Sequence, residues 1–157
     1  MDLTIVGCGY VGLALAERLQ PRRPQLRLTL TTTSSERLEQ LSPLADRVEV
    51  CDATDPAQLL GALRQSSRAV FCLGPKGDRQ VNANGYRHTF VDSFRCLMSL
   101  LPHLPELQQV VYTSSCSVYG DAEGDWVDEQ TPPEPSQGHG EILLESEQLL
   151  SGISDRR

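Results

Sequence analysis

The sequence predicts an α/β fold, a doubly wound parallel sheet with helices on both faces, and three observations carry that prediction. Short apolar runs alternate with helix-patterned stretches, and the first run enters "GCGYVG" directly. The 157 residues are enough for one core and too few for two comfortable ones. Apolar runs without strict alternation suit strands buried on both faces. Right-handed crossovers then favour the strand order 3-2-1-4-5, a Rossmann arrangement.

Each element has its own signal. Residues 3–6, "LTIV", form the first strand, and residues 11–19 an apolar-rich helix that Pro21 ends. Residues 26–31 form a second strand, followed by a short helix carrying Leu38, Leu41 and Leu44. Residues 48–51 form a third, leading to a helix opened by Asp55 and Pro56, an N-cap and first-turn pair. Residues 69–73 form the fourth. A long amphipathic helix then places Phe90, Phe94, Leu97, Met98 and Leu101 at helical spacing until Pro102 stops it. Residues 110–113 make the fifth strand. A polar loop, "DAEGDWVDEQTPPEPSQG", precedes a last helix from about Glu141, with Ile142, Leu149 and Ile153 on one face.

Composition narrows the function classes. A formal net charge of −7 with no basic stripe argues against nucleic acid as a partner. No stretch approaches the roughly 20 apolar residues of a membrane span, and no basic leader precedes the first apolar run, so a cytoplasmic protein is expected. Cys8, Cys51, Cys72, Cys96 and Cys116 are scattered, without CxxC or histidine at zinc spacing. They read as reduced, mostly buried small hydrophobes, and no metal site is expected.

The glycine turn carries the first chemistry. Gly7, Gly9 and Gly12, with Tyr10 and Val11 between the last two, make GxGxxG between a strand and a helix. In that context the first glycine permits the tight turn, the second lets backbone approach a pyrophosphate, and the third allows close helix packing. The free amides at the helix start supply partial positive charge. After the second strand, where an acidic residue would hold an adenosine ribose, stand Thr31, Thr32, Thr33, Ser34 and Ser35, with no carboxylate before Glu36. Hydroxyls with Arg37 suit a 2′-phosphate, which leans the cofactor toward NADP over NAD; equally, these hydroxyls cap the next helix.

With that turn in place, "VEVCDATDP", "AVFCLGP" and "VVYTSSCSVYGD" follow in order, and the chain resembles the extended short-chain dehydrogenase/reductases of the NAD-dependent epimerase/dehydratase type over its whole length. The resemblance implies that Asp52, with Ala53 beside it, contacts adenine, that Leu73, Gly74 and Pro75 lie along the cofactor, and that Ser114 and Ser115 end the fifth strand. Ser115 then takes the place of the family's catalytic Ser or Thr. The family's YxxxK pair is missing: Lys76 is the chain's only lysine, and none of the four tyrosines has a lysine four residues on. Matching "GHGEILLESEQLL" to the family's final helix sets His139 at the tyrosine place and Leu143 at the lysine place, which resembles an atypical branch that has lost the pair.

His139 offers one replacement, since imidazole exchanges protons near neutral pH; the alternative is a solvated histidine at a helix start. Tyr119 with Lys76, both near carboxyl ends of strands, offers another. Family members continue past this last helix, so the chain looks like an amino-terminal fragment with an incomplete substrate pocket, and the edge beside the fifth strand favours a homodimer. Three functions follow: an NAD(P)-dependent oxidoreductase or epimerase-like enzyme on a nucleotide sugar or related metabolite, a dinucleotide-binding sensor or scaffold, and a ligand-free interface domain.

Overall fold

The computed structural model describes residues 1–75, 82–136 and 138–154, without the side chains of Arg23, Ile153 and Ser154. Five parallel strands, β1 (Asp2–Val6), β2 (Arg27–Thr32), β3 (Arg47–Val50), β4 (Arg68–Phe71) and β5 (Gln109–Tyr112), pair in the order β3-β2-β1-β4-β5. The doubly wound sheet expected from the alternation is therefore present. β3 to β5 each end one or two residues before the expected position. Cys51, Cys72 and Thr113 leave the ladder there and turn toward a cleft at the strands' carboxyl ends.

Helices α1 (Tyr10–Leu19) and α2 (Leu38–Leu41) cover one face, where Leu3, Ile5, Leu28 and Leu30 pack with Ala16 and Leu41. On the other face α3 (Pro56–Leu63) supplies Leu59, Ala62 and Leu63. As its sequence predicts, Asp55 caps α3, its Oδ1 accepting from the amides of Ala57 (2.9 Å) and Gln58 (3.0 Å).

The expected single helix between β4 and β5 is three pieces: α4 (Ala83–Arg87), a π turn at His88–Asp92, and α5 (Ser93–Leu100). The extra residue of a π turn rotates the faces before and after it, so Phe94 and Leu97 reach the core while His88 and Thr89 reach the cleft. Phe94 packs tilted against Phe71 with centroids 5.2 Å apart and 43° between planes, and burying each ring contributes about 1.5–3 kcal/mol. A last helix, α6 (His139–Ser154), starts two residues before the expected Glu141; Ile142 is buried, Leu149 packs on the core, and the side chain of Ile153 lies outside the described residues.

Four of the five cysteines are buried and Cys116 is exposed. Among the described residues no helix is long and apolar enough to cross a membrane, and no group of metal-ligating side chains gathers. The outer edge of β5 pairs with no strand among the described residues, and Val111 beside it is 45% exposed.

Candidate functional site

The turn after β1 is built as the three glycines demand. Gly7 has φ +86°, and a Cβ there would stand 2.7 Å from the Cys72 carbonyl oxygen; at Gly12 it would stand 2.8 Å from the Gly7 carbonyl. Gly9 has open space around it, on the side where backbone faces the cleft. The first amides of α1 have no carbonyl behind them in the helix, and the residues that carry them, Tyr10 and Val11, line the cleft.

Thr31, grouped by the sequence with the hydroxyls that suit a 2′-phosphate, is turned inward beneath this turn. It is 1% exposed; its hydroxyl accepts from the Gly7 amide (3.0 Å) and its carbonyl from the Cys8 amide (2.7 Å). Thr31 thus fixes the turn from β2 and does not line the cleft that Thr32 lines, because odd and even positions of a strand face opposite ways. Thr32, Thr33 and Arg37 do line the cleft, and Arg37 Nη1 donates to the Cys8 carbonyl at 2.6 Å, which lays the guanidinium across the turn.

The cleft is a cavity of about 580 Å³ along the carboxyl ends of the strands. From the expected set it gathers Gly7, Gly9, Tyr10 and Val11 on one side, Asp52 and Ala53 at the β3 end, and Leu73, Gly74 and Pro75 after β4. Asp52 Oδ1 accepts from the Thr54 amide (3.1 Å) and hydroxyl (2.8 Å), so the loop after β3 is held locally. Gly12 does not line this cleft; its part is the helix packing described above.

Sequence reasoning missed two groups on the cleft wall. Gly85, His88, Thr89 and Ser93 come from the α4 to α5 run, and the π turn that aims them has no pattern in the sequence. Cys8, Cys51 and Cys72 follow β1, β3 and β4, and their place after an apolar run was the available signal, since ligands sit beyond carboxyl ends in such sheets. Burial pushes all three thiols up. Cys51 goes from its ordinary 9.0 to about 12, with the carboxylates of Glu49, Asp52 and Asp55 adding to the burial; at Cys8 the Arg37 charge opposes it. The thiols are therefore uncharged walls and weak nucleophiles at neutral pH.

A second cavity of about 310 Å³ opens beyond β5, and Leu73 and Thr113 line both. It brings together Ser114, Ser115, Ser117, Tyr86, His139 and Leu143. Ser114, which the family resemblance also sets beside the cofactor, lines the second cavity and not the first. Ser115 opens a short 3₁₀ turn, its Oγ accepting from the Ser117 amide (3.3 Å) and lying 3.1 Å from Ser117 Oγ. His139 is exposed, the first residue of α6, and its ring lies flat on Tyr86 with centroids 3.7 Å apart and 7° between planes. Leu143, one turn on, is 5% exposed in an apolar cluster with Phe90 and Val118.

Tyr119 lines neither cavity: the 3₁₀ turn directs its ring against that cluster. Its suggested partner, Lys76, lies outside the described residues.

The model of the NAD dependent epimerase/dehydratase family matches residues 3–155. The chain belongs to that family. It is 32% identical over 162 residues to Protein YeeZ of Escherichia coli K12, covering 96% of this chain and 53% of that protein. To D-erythronate dehydrogenase of Cupriavidus necator it is 32% identical over 161 residues, covering 96% and 49%. The chain therefore spans about half the length of the curated relatives it matches. Among solved structures, a UDP-galactose 4-epimerase superposes with TM-score 0.82 at 20% identity, covering 99% of this chain and 52% of that one. UDP-glucose 4-epimerase from Bifidobacterium longum, in complex with NAD+ and UDP, gives 0.80 at 18% identity, covering 99% and 50%. These likenesses establish a shared fold.

Proposed function

We propose that this chain forms the dinucleotide-binding part of an oxidoreductase-type enzyme of the epimerase/dehydratase family, acting in the cytoplasm on a nucleotide sugar or related hydroxyl-bearing metabolite. The observation that carries this reading is the pair of joined cavities. A long cleft floored by the glycine turn meets, at Leu73 and Thr113, a smaller polar cavity that holds Ser115 and His139. A dinucleotide laid in the first would bring its nicotinamide end to the second. Gly7, Gly9 and the α1 amides would hold the pyrophosphate, Asp52 and Ala53 the adenine side, and Leu73, Gly74 and Pro75 the length of the cofactor. Bound there, the nicotinamide supplies the acceptor for hydrogen and electrons that no side chain can provide.

NADP is favoured over NAD within this reading, because Thr32, Thr33 and Arg37 line the cleft where a ribose-binding carboxylate is missing. The names of the relatives, a D-erythronate dehydrogenase and epimerases of UDP-sugars, support a substrate that carries a secondary hydroxyl. The outer edge of β5, which no strand among the described residues pairs, is where a homodimer would pair.

A second reading, a binding module without turnover, is favoured by Leu143, which sits buried at the lysine place of the resembled pair. Titration with NADPH and NADH, followed by nicotinamide fluorescence, tests what the two readings share; saturable binding, tighter for NADPH, is expected, and no binding of either would sink both. Turnover of NADP+ with UDP-sugars and sugar acids then separates enzyme from module.

A further inference from the structure

We propose that Tyr86 and His139 form a working pair that replaces the missing tyrosine and lysine: His139 moves the proton of the substrate hydroxyl, and Tyr86 is its positioning residue. This rests on the dinucleotide-cleft reading above and adds which groups of this chain complete the site.

The two rings come from different elements and meet face to face at 3.7 Å and 7°, closer and flatter than the offset or edge contacts that dominate between aromatic side chains. The arrangement is braced on both sides. Glu145 on α6 accepts from Arg87 Nη1 of α4 (2.6 Å) and from Arg95 Nη2 of α5 (2.9 Å), tying the element that carries Tyr86 to the one that carries His139. Tyr86 also rests on Phe90, with centroids 5.3 Å apart, and Ser146 Oγ lies 3.3 Å from Tyr112 Oη, which ties α6 to β5. A Cβ at Gly140 would stand 2.6 Å from the Ser117 carbonyl oxygen, so the start of α6 is seated directly on the serine turn. His139 is thereby held over a cavity whose other polar wall is Ser114, Ser115 and Ser117.

That wall and that ring suit a secondary alcohol. Ser115 Oγ holds the substrate oxygen while a ring nitrogen of His139 takes its proton; the O–H and C–H bonds break, and a C=O bond forms. A dinucleotide held in the cleft would supply the acceptor for the carbon's hydrogen and its electron pair, while the proton passes from the imidazole to water. The reverse direction protonates a carbonyl oxygen from the same nitrogen. A lysine is unnecessary for this, because an imidazole needs no neighbouring cation to exchange protons near neutrality, which agrees with a buried leucine at position 143.

Two measurements test the pair. In the histidine-labelled chain, the carbon-bound protons of the His139 ring are expected upfield of the other two histidines by the ring current of Tyr86. The displacement should persist in Tyr86→Phe, vanish in Tyr86→Leu, and leave NADPH affinity unchanged throughout. Absence of the upfield signal in the parent chain overturns the pairing. In turnover of NADP+ with UDP-sugars and sugar acids, His139→Asn is expected to lower kcat about a hundredfold or more. Tyr86→Leu should lower it about tenfold, with Tyr86→Phe near the parent and KM for NADP+ unmoved in all three. Full kcat in His139→Asn, or NADPH binding without any turnover, overturns the proton-transfer role and leaves the cofactor cleft standing. Failure to bind either dinucleotide instead overturns the reading beneath it.

Discussion

The turn after β1 and the turn after β5 lie at the same edge of one sheet, yet they are built by opposite means. The first is local: three glycines within six residues set its path, and Thr31 on the neighbouring strand pins it by two hydrogen bonds. The second is assembled from Ser115 on the β5 turn, Tyr86 on α4 and His139 on α6, separated by tens of residues and held by the Glu145 ion pairs and the seat under Gly140. A site made by backbone conformation tolerates little change in its few residues. A site made by side chains from separate elements leaves the fold intact when one of them changes, because the backbone does not depend on any one of them.

The sharpest way to break this contrast is Gly7→Ala. A side chain at φ +86° and 2.7 Å from a backbone oxygen is expected to cost about 3 kcal/mol, read by chemical denaturation, and to abolish saturable NADPH binding. A variant that kept both would show that the turn is less exacting than its geometry requires. Arg37→Ala comes next: NADPH affinity should fall about tenfold, roughly 1.4 kcal/mol, with NADH little affected, in parallel fluorescence titrations. Equal losses for both dinucleotides would assign Arg37 to bracing the Cys8 carbonyl alone.

Alkaline pH probes the cleft walls. Because the folded thiols titrate above their ordinary 9.0, the unfolded chain loses those protons first and stability falls as pH rises from about 9; for Cys51 the loss continues toward about 12. The slope reaches at most about 1.4 kcal/mol per pH unit per thiol, measurable in denaturation midpoints, and Cys51→Ala should flatten it. Smallest in stability is Ser115→Ala, which removes the acceptor for the Ser117 amide at an exposed turn and costs about 0.5–1 kcal/mol. NADPH binding should hold, while turnover falls, as befits a residue of the second site alone.

How much was legible follows the same division. The sheet order, Asp55 capping α3 and the glycine turn could be read directly, because each depends on residues close in sequence. That Thr31 turns inward and bonds the glycine turn was not legible, since which face a strand residue takes depends on its pairing with neighbours, here Thr31 opposite Glu49 on β3. The surroundings of Tyr119 and Ser114 were not legible for a related reason: a short 3₁₀ turn decides which hydroxyl reaches which cavity. The wall formed by His88, Thr89 and Ser93 depends on a π turn, whose extra residue follows from packing across α4, α5 and α6 and leaves no periodic mark.

By itself, then, the sequence determined the alternation of strands and helices, the parallel order of the sheet and the phosphate-type turn, all consequences of local pattern and chain handedness. Only the tertiary structure decided that the cleft and the serine cavity join at Leu73 and Thr113, and that Tyr86 lies flat on His139. Contacts between elements far apart in sequence depend on helix rotation and ion pairing that no short window of residues contains.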